Sequence, residues 1–261
     1  MAHTIYQNFV LANQVEDFYK THLDLARFCT IDNSLTGTPG MIKKINVYTA
    51  TDGTEKLAMG EGNSKDIDVS YTQKDYTILL AQNRFNYHDE QEMTDPMVVE
   101  VGLRKAAADI YNHVNADIIA EFNKATQTVS ASAFNFDAFV DAGAMLNVEN
   151  LESVEKFALV NPKDVAKVRK ALKDDLKYVE AFARNGYVSS VAGWNLYACK
   201  EIAEGTIVGG TRDAVTLFNK RGVEVEQERD GNVRKNTIFS RKYYLAALTD
   251  TTKAVKITIG G

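Results

Sequence analysis

Apolar and polar positions divide the chain into five stretches. Residues 1–40 are weakly patterned: Val15 to Phe28 reads as a short helix, followed by the turn-rich run Asp32 to Gly40. That is an extended arm with one helix in it. From 41 to 87 the period is two, as in a strand with one face covered. Ile45 and Val47 alternate with polar neighbours, as do Ile67, Val69 and Tyr71, then Tyr76, Ile78 and Leu80, then Phe85 and Tyr87. The phase slips near 73–75 and near 82–84, which predicts bulges or bends there. Between these strands, Asp52 to Asp66 is a long glycine-bearing excursion. A two-stranded arm with a flexible tip is marginal by itself, so it calls for a neighbouring surface.

The pattern then changes to spacings of three and four. Val99, Leu103, Ala107, Ile110, Val114, Ile118 and Phe122 follow a capping Asp95 and a first-turn Pro96. This predicts one unbroken helix over 96–124, about 43 Å long, the spine of a domain. Residues 133–220 read as α/β. Phe136–Leu146 is a helix and Phe157–Val160 a short buried strand. Asn161 and Pro162 open a helix with Val165, Val168, Leu172 and Leu176 on one face. Strand and turn material follows at 193–198 and 205–209, and a strand at 214–218. Residues 222–260 return to β, with Asp230-Gly231 as a two-residue hairpin signal.

Composition narrows the functional classes. The 261 residues carry a net charge of −5, with no basic stripe of the kind a nucleic-acid reader needs. An acidic protein can still enclose DNA without gripping it. No apolar run approaches a membrane span, and the N-terminus does not read as a signal peptide. Two cysteines, Cys29 and Cys199, form no metal-type cluster and read as reduced thiols.

The candidate chemistry stays bland. His88-Asp89-Glu90-Gln91-Glu92 holds one histidine with no spaced partner, and reads as a charged turn rather than a metal site. His113 between Asp109 and Asp117 lacks a nucleophile and reads as an exposed helix pair. Gly60-Glu61-Gly62 and Gly209-Gly210 lack phosphate-loop spacing and are assigned to turns. Glu224, Glu226 and Glu228 share a strand face beside Arg229 and Arg234. An enzyme using those carboxylates is the rival from another class, but the face reads better as a wet surface or a subunit contact. Trp194 reads as a core or interface anchor. No cofactor, metal or catalytic residue is expected.

Three stretches carry a resemblance: Gly62 to Val69, Phe157 to Asp164, and Gly222 to Glu226. They resemble major capsid proteins of phages of Gram-positive bacteria. The order of elements resembles the Hong Kong 97-like α+β capsid fold over essentially the whole chain. In its terms, 1–40 is an N-terminal arm and 41–87 the E-loop hairpin. Residues 88–132 are a peripheral domain with a spine helix, 133–220 an axial α/β domain, and 221–261 a return to the peripheral sheet.

The resemblance implies a non-enzymatic shell protein that self-assembles through hexamers and pentamers into an icosahedral virion capsid around double-stranded DNA. It also implies a portal protein, no membrane, and assembly in the host cytoplasm. With the arm starting almost at Met1, a separate scaffolding protein is expected. An encapsulin-like bacterial compartment is the alternative within the same fold. The expected assembly contacts are Lys56, Glu61, Lys65 and Asp66 near the loop tip, with Glu226 and Arg229 on the carboxylate strand. Some relatives crosslink through an E-loop lysine; its partner residue has no match in this sequence.

Overall fold

A computed structural model describes residues 4–7, 24–146, 154–173 and 190–259. In chain order it contains β1 (Thr4–Gln7), a 3-10 turn (Leu25–Phe28), β2 (Thr30–Asp32), β3 (Ile42–Ala50), β4 (Val69–Thr77) and β5 (Leu79–His88). Two helices follow, α1 (Asp89–Thr94) and α2 (Met97–Phe122). The middle of the chain gives β6 (Gln127–Ala131), α3 (Phe136–Met145), β7 (Lys156–Val160), α4 (Pro162–Ala171), β8 (Ser190–Val191), β9 (Trp194–Ala198) and β10 (Thr206–Gly210). The last part gives β11 (Val215–Asp230), β12 (Lys235–Leu248), a 3-10 turn (Thr251–Lys253) and β13 (Ala254–Ile259).

Three sheets organise these strands. One runs β1-β11-β12-β5, with β2 parallel to β11; a second runs β6-β13-β10-β7-β9-β8; the third is the isolated pair β3-β4. Helix α2 ties the first two together. Its first half buries Leu103 and Ala107 against Tyr87, Val225 and Ile238 of the five-stranded sheet. Its second half buries Ile110, Val114, Ile118 and Phe122 against residues of both sheets, among them Leu159 and Leu217. With 26 residues, α2 is about 39 Å long. The apolar stripe therefore makes one unbroken helix, as read. Pro96 holds helical angles just before it, and the Asp95 carboxylate accepts the Met97 N–H at 3.0 Å.

Strand β7 is buried at every position because the six-stranded sheet is covered on both faces. Phe157 and Leu159 face α2, while Ala158 and Val160 face α3 and α4. Asn161 caps α4 by accepting the Lys163 N–H at 3.0 Å, and Asn135 caps α3 through Ala138 at 3.2 Å. Trp194 is 1% exposed and donates its indole N–H to the Phe139 carbonyl at 2.9 Å, a core anchor.

Several expectations need correction. The register runs unbroken through 73–75 and 82–84; the irregularities lie in β11, between Asn219 and Glu224. The apparent phase slip marks a change of environment. Most of β4 faces no core, so its apolar set obeys a different cover from that of β5, and the chain breaks between them at buried Ile78. The hairpin itself spans 42–77 rather than 41–87, since β5 leaves it to pair with β12. Strand β11 runs through the expected boundary at 220/221. Strands β6 and β13 both join the six-stranded sheet, so 254–259 does not return to the sheet of β11 and β12.

Gly209 and Gly210 lie inside β10, not in a turn. A Cβ on Gly209 would stand 2.4 Å from the Phe157 carbonyl oxygen, so the close strand approach requires glycine. The β11–β12 connection has four residues, Gly231 to Arg234, because Asp230 pairs with Lys235. Asp230 accepts the Asn232 N–H and Arg234 takes φ 50°, which sets that longer turn. The helix read over Val15–Phe28 falls mostly outside the described residues; its end, Leu25–Phe28, is a 3-10 turn capped by Asp24.

Candidate assembly surface

The hairpin is where the fold leaves apolar area uncovered. In an antiparallel pair, directly opposed residues share a face. Tyr48 opposes Tyr71, Ala50 opposes Val69, Asn46 opposes Gln73 and Lys44 opposes Asp75. Ile67, Val69 and Tyr71 are 62%, 64% and 65% exposed, and Tyr48 is 64% exposed. The two tyrosine rings meet at 5.9 Å between centroids. Below them, Lys44 and Asp75 form a pair at 3.9 Å. The opposite face is covered only at its base, where Ile45 and Tyr76 pack beside Phe218 and Ile78.

The connecting loop is closed by its own side chains. The Glu55 carboxylate accepts the Ser64 N–H at 2.9 Å and the Ser64 hydroxyl at 3.1 Å. The Asn63 amide donates to the Lys65 carbonyl at 2.9 Å. Glu61 accepts the Ala58 N–H at 3.0 Å across a turn in which Gly60 takes φ 90°. Lys56, Glu61 and Lys65 border one shallow concavity at this tip; Asp66 is exposed at its base. Lys65 also lies 3.9 Å from Glu55. Leu57 and Met59, 47% and 105% exposed, add apolar area that the charge-centred reading of this loop passed over.

Glu226 and Arg229 belong to a different place and are engaged within the chain. Glu226 pairs with Arg241, and Arg229 binds Asp89 at 2.6 Å. Glu224 pairs with Arg221 at 3.0 Å. The run beginning at His88 is thereby explained. Asp89 is held by Arg229 and Asn236, and Glu90 by Arg234 at 2.6 Å, so the acidic helix start is neutralised by the β11–β12 turn. The Arg229 contact, then Asn236, holds the Asp89 carboxyl below the usual range. His113 lies 3.8 Å from Asp117, which also accepts the Tyr244 hydroxyl at 2.6 Å. Among the described residues no group of three or more His, Cys, Asp or Glu could hold a metal ion, and no helix is long and apolar enough to cross a membrane.

Both cysteines are buried and unbridged. Burial pushes the Cys29 thiol up to about 12 and raises Cys199 as well. A thiolate is the reactive form. Native protein at pH 8 is therefore expected to resist a maleimide reagent over an hour, and to take up two labels in denaturant. Fast native labelling would contradict the packing around Leu25 and Cys199.

The sequence missed a second uncovered surface, along α2 and β5. Leu80 alternates in sequence with Tyr76 and Ile78, yet Leu79 and Leu80 are 63% and 47% exposed. Met97 and Val101 are 53% and 57% exposed. Their spacing of four, off the Val99–Leu103 stripe, was the available signal.

No family model matches the chain. Its sequence is 26% identical over 258 residues to a major capsid protein of Staphylococcus phage phiMR11, covering 96% of this chain and 92% of that protein. The structure matches the mature capsid of bacteriophage PhiM1 with a TM-score of 0.72 at 11% identity, covering 91% of this chain and 87% of the other. A Mycobacterium phage Che8 chain gives 0.66 at 18% identity, covering 98% and 93%. A virus-like particle from Pyrococcus furiosus gives 0.65 at 14% identity, covering 95% and 98%. The fold of the chain is the Hong Kong 97-like α+β capsid fold.

Proposed function

We infer that this chain is a major capsid protein of a tailed bacteriophage, a subunit that assembles with copies of itself into the shell of a virion. The observation that carries the reading is the end-to-end sequence match to the phiMR11 capsid protein, on a fold shared with phage shells. The geometry agrees with that role. A body built around α2 carries a two-stranded ribbon whose apolar face is exposed among the described residues. Catalysis has no part in the proposal: the Glu224, Glu226 and Glu228 face that an enzyme would use has at least two of its carboxylates tied to arginines.

The finer assignments follow from the same reading. The β3–β4 hairpin and its loop, with Lys56, Glu61, Lys65 and Asp66, make contact between subunits. Glu226 and Arg229 fix the β11 strand within the subunit and contribute less. The six-stranded sheet with α3 and α4 forms the axial domain; the five-stranded sheet with α2 forms the peripheral domain. Hexamers and pentamers build an icosahedral shell around packaged double-stranded DNA, which the net charge of −5 leaves ungripped. A scaffolding protein and a portal act in assembly, in the bacterial cytoplasm. A compartment holding cargo enzymes is the weaker alternative, since the end-to-end sequence match is to a phage capsid protein.

Electron microscopy of the purified protein tests the reading directly. Closed shells, or rings of five and six subunits, are the expected result. Monodisperse monomer under all concentrations and salt conditions would overturn it.

A further inference from the structure

We propose that Lys220 is a positioning residue for assembly: from a bulge in β11 it grips the loop at the root of the β3–β4 hairpin and fixes the angle at which the hairpin leaves the body. The proposal rests on the hairpin being an assembly contact, as inferred above, and names what aims it. Two connections join the hairpin to the rest of the chain. One is Ile78 alone, between β4 and β5. It is buried, and its N–H donates to the Met41 carbonyl at 2.8 Å. The other is the loop 33–41, between β2 and β3. Thr36 to Gly40 are exposed, and Gly37 and Gly40 take φ 76° and 103°. A Cβ added at either glycine would meet nothing within 4 Å. Packing therefore does not fix this part of the loop, and its glycines leave the backbone many conformations.

What holds the loop is the first irregularity of β11. Asn219 opposes Tyr244 and Arg221 opposes Tyr243, which leaves Lys220 as the extra residue, with no partner on β12. A bulge of this kind re-aims a side chain. Here the Lys220 ammonium donates to the Leu35 carbonyl at 3.0 Å and to the Thr38 carbonyl. These acceptors stand on either side of Gly37, so one cation spans the freest part of the loop. The Thr36 hydroxyl adds a bond to the Asn219 carbonyl at 3.4 Å, beside the same bulge. At the start of the loop, Asp32 accepts the Ser34 N–H at 2.7 Å and lies 3.5 Å from Lys43 of β3. Beneath it, Leu35, Ile45 and Tyr76 pack around Ile78 and Phe218. That apolar cluster seats the root, but apolar burial is non-directional. Hydrogen bonds have a preferred geometry, so the Lys220 contacts set the angle.

The length of the hairpin makes the angle matter. From Thr77 to Val69 is eight strand residues, about 26 Å. A rotation of about 10° at the root then carries Val69 about 5 Å, roughly one strand spacing. Copies with unfixed hairpins would meet their neighbours out of register.

The test reads the angle in the unassembled subunit and then the shell. Spin labels are placed at Tyr71→Cys on the hairpin and Thr128→Cys on β6; the native thiols are buried. Pulsed electron paramagnetic resonance is expected to give one narrow distance distribution. Lys220→Met keeps the length of the side chain and removes its donors. It is expected to widen the distribution at least twofold. Without the added cysteines, the same variant is expected to melt at the wild-type temperature and to yield at least tenfold fewer regular shells. Lys220→Gln, with the same expectations, takes its place if the methionine variant is insoluble. A distribution that stays narrow, or one already wide with Lys220 in place, overturns the latch and leaves the shell reading intact. A widened distribution with shells of normal yield and diameter overturns the positioning role. Protein with Lys220 in place that never assembles overturns the hairpin reading and the positioning role with it.

Discussion

Leu103→Pro leaves no soluble folded protein. Residue 103 is 1% exposed in the first half of α2, where it packs with Tyr87, Val225 and Ile238. Proline there removes the bond from its own N–H to the preceding turn and drives its ring into that turn, at about 3 kcal/mol or more. Losing the leucine side chain from the core adds about 2–5 kcal/mol. A domain is stable by only about 5–15 kcal/mol in total. The damage also spreads, because α2 packs on both large sheets. Expression yield and far-ultraviolet circular dichroism read the outcome. Leu103→Met is the control, expected to cost less than about 1.5 kcal/mol. A cooperatively melting proline variant with native helix content would remove the basis for treating α2 as a single spine.

Deleting residues 54–65 gives folded monomers and no closed shells. The loop's described bonds, such as Glu55 to Ser64 and Asn63 to Lys65, stay within the loop or reach the adjoining Gly53, so removing it orphans nothing in the core. The ends already touch: a Cβ on Gly53 would lie 3.1 Å from the Ile67 nitrogen, so a short Asn-Gly turn can close the ribbon. Subunit stability is expected to change by about 0.5 kcal/mol or less, as for other surface changes. Assembly is expected to fail, because Lys56, Leu57, Met59 and Glu61 leave together. Sedimentation and electron microscopy decide it. Shells of normal size and stability from the deleted protein would reduce the loop to a passive feature.

Sequence periodicity made the elements legible wherever the cover lies within the chain. Helix α2 follows from the stripe Leu103 to Phe122, and β7 from the four-residue run Phe157 to Val160. The cap at Asn161 follows from residue type. The reading of Trp194 as an anchor was also within reach from residue type, whereas the run read as a turn at His88 to Glu92 is the start of helix α1.

What the sequence could not give was membership. Strands β6 and β13 carry no mark that assigns them to the six-stranded sheet, and β11 hides its passage from one end of its sheet to the other behind a bulge. Gly209 looked like a turn because the reason for its glycine, the Phe157 carbonyl, is 52 positions away in sequence. The assembly surfaces were half visible for the same cause. An alternating run such as Ile67, Val69 and Tyr71 states that one face must be covered; it does not state by what. Only the tertiary arrangement, which covers Ile78 and Leu103 but leaves Tyr71 and Val101 in solvent, separates the residues that fold this chain from those left for a neighbour. The physical reason is that burial is a property of a face in space, and the chain alone fixes only the spacing of the residues along it.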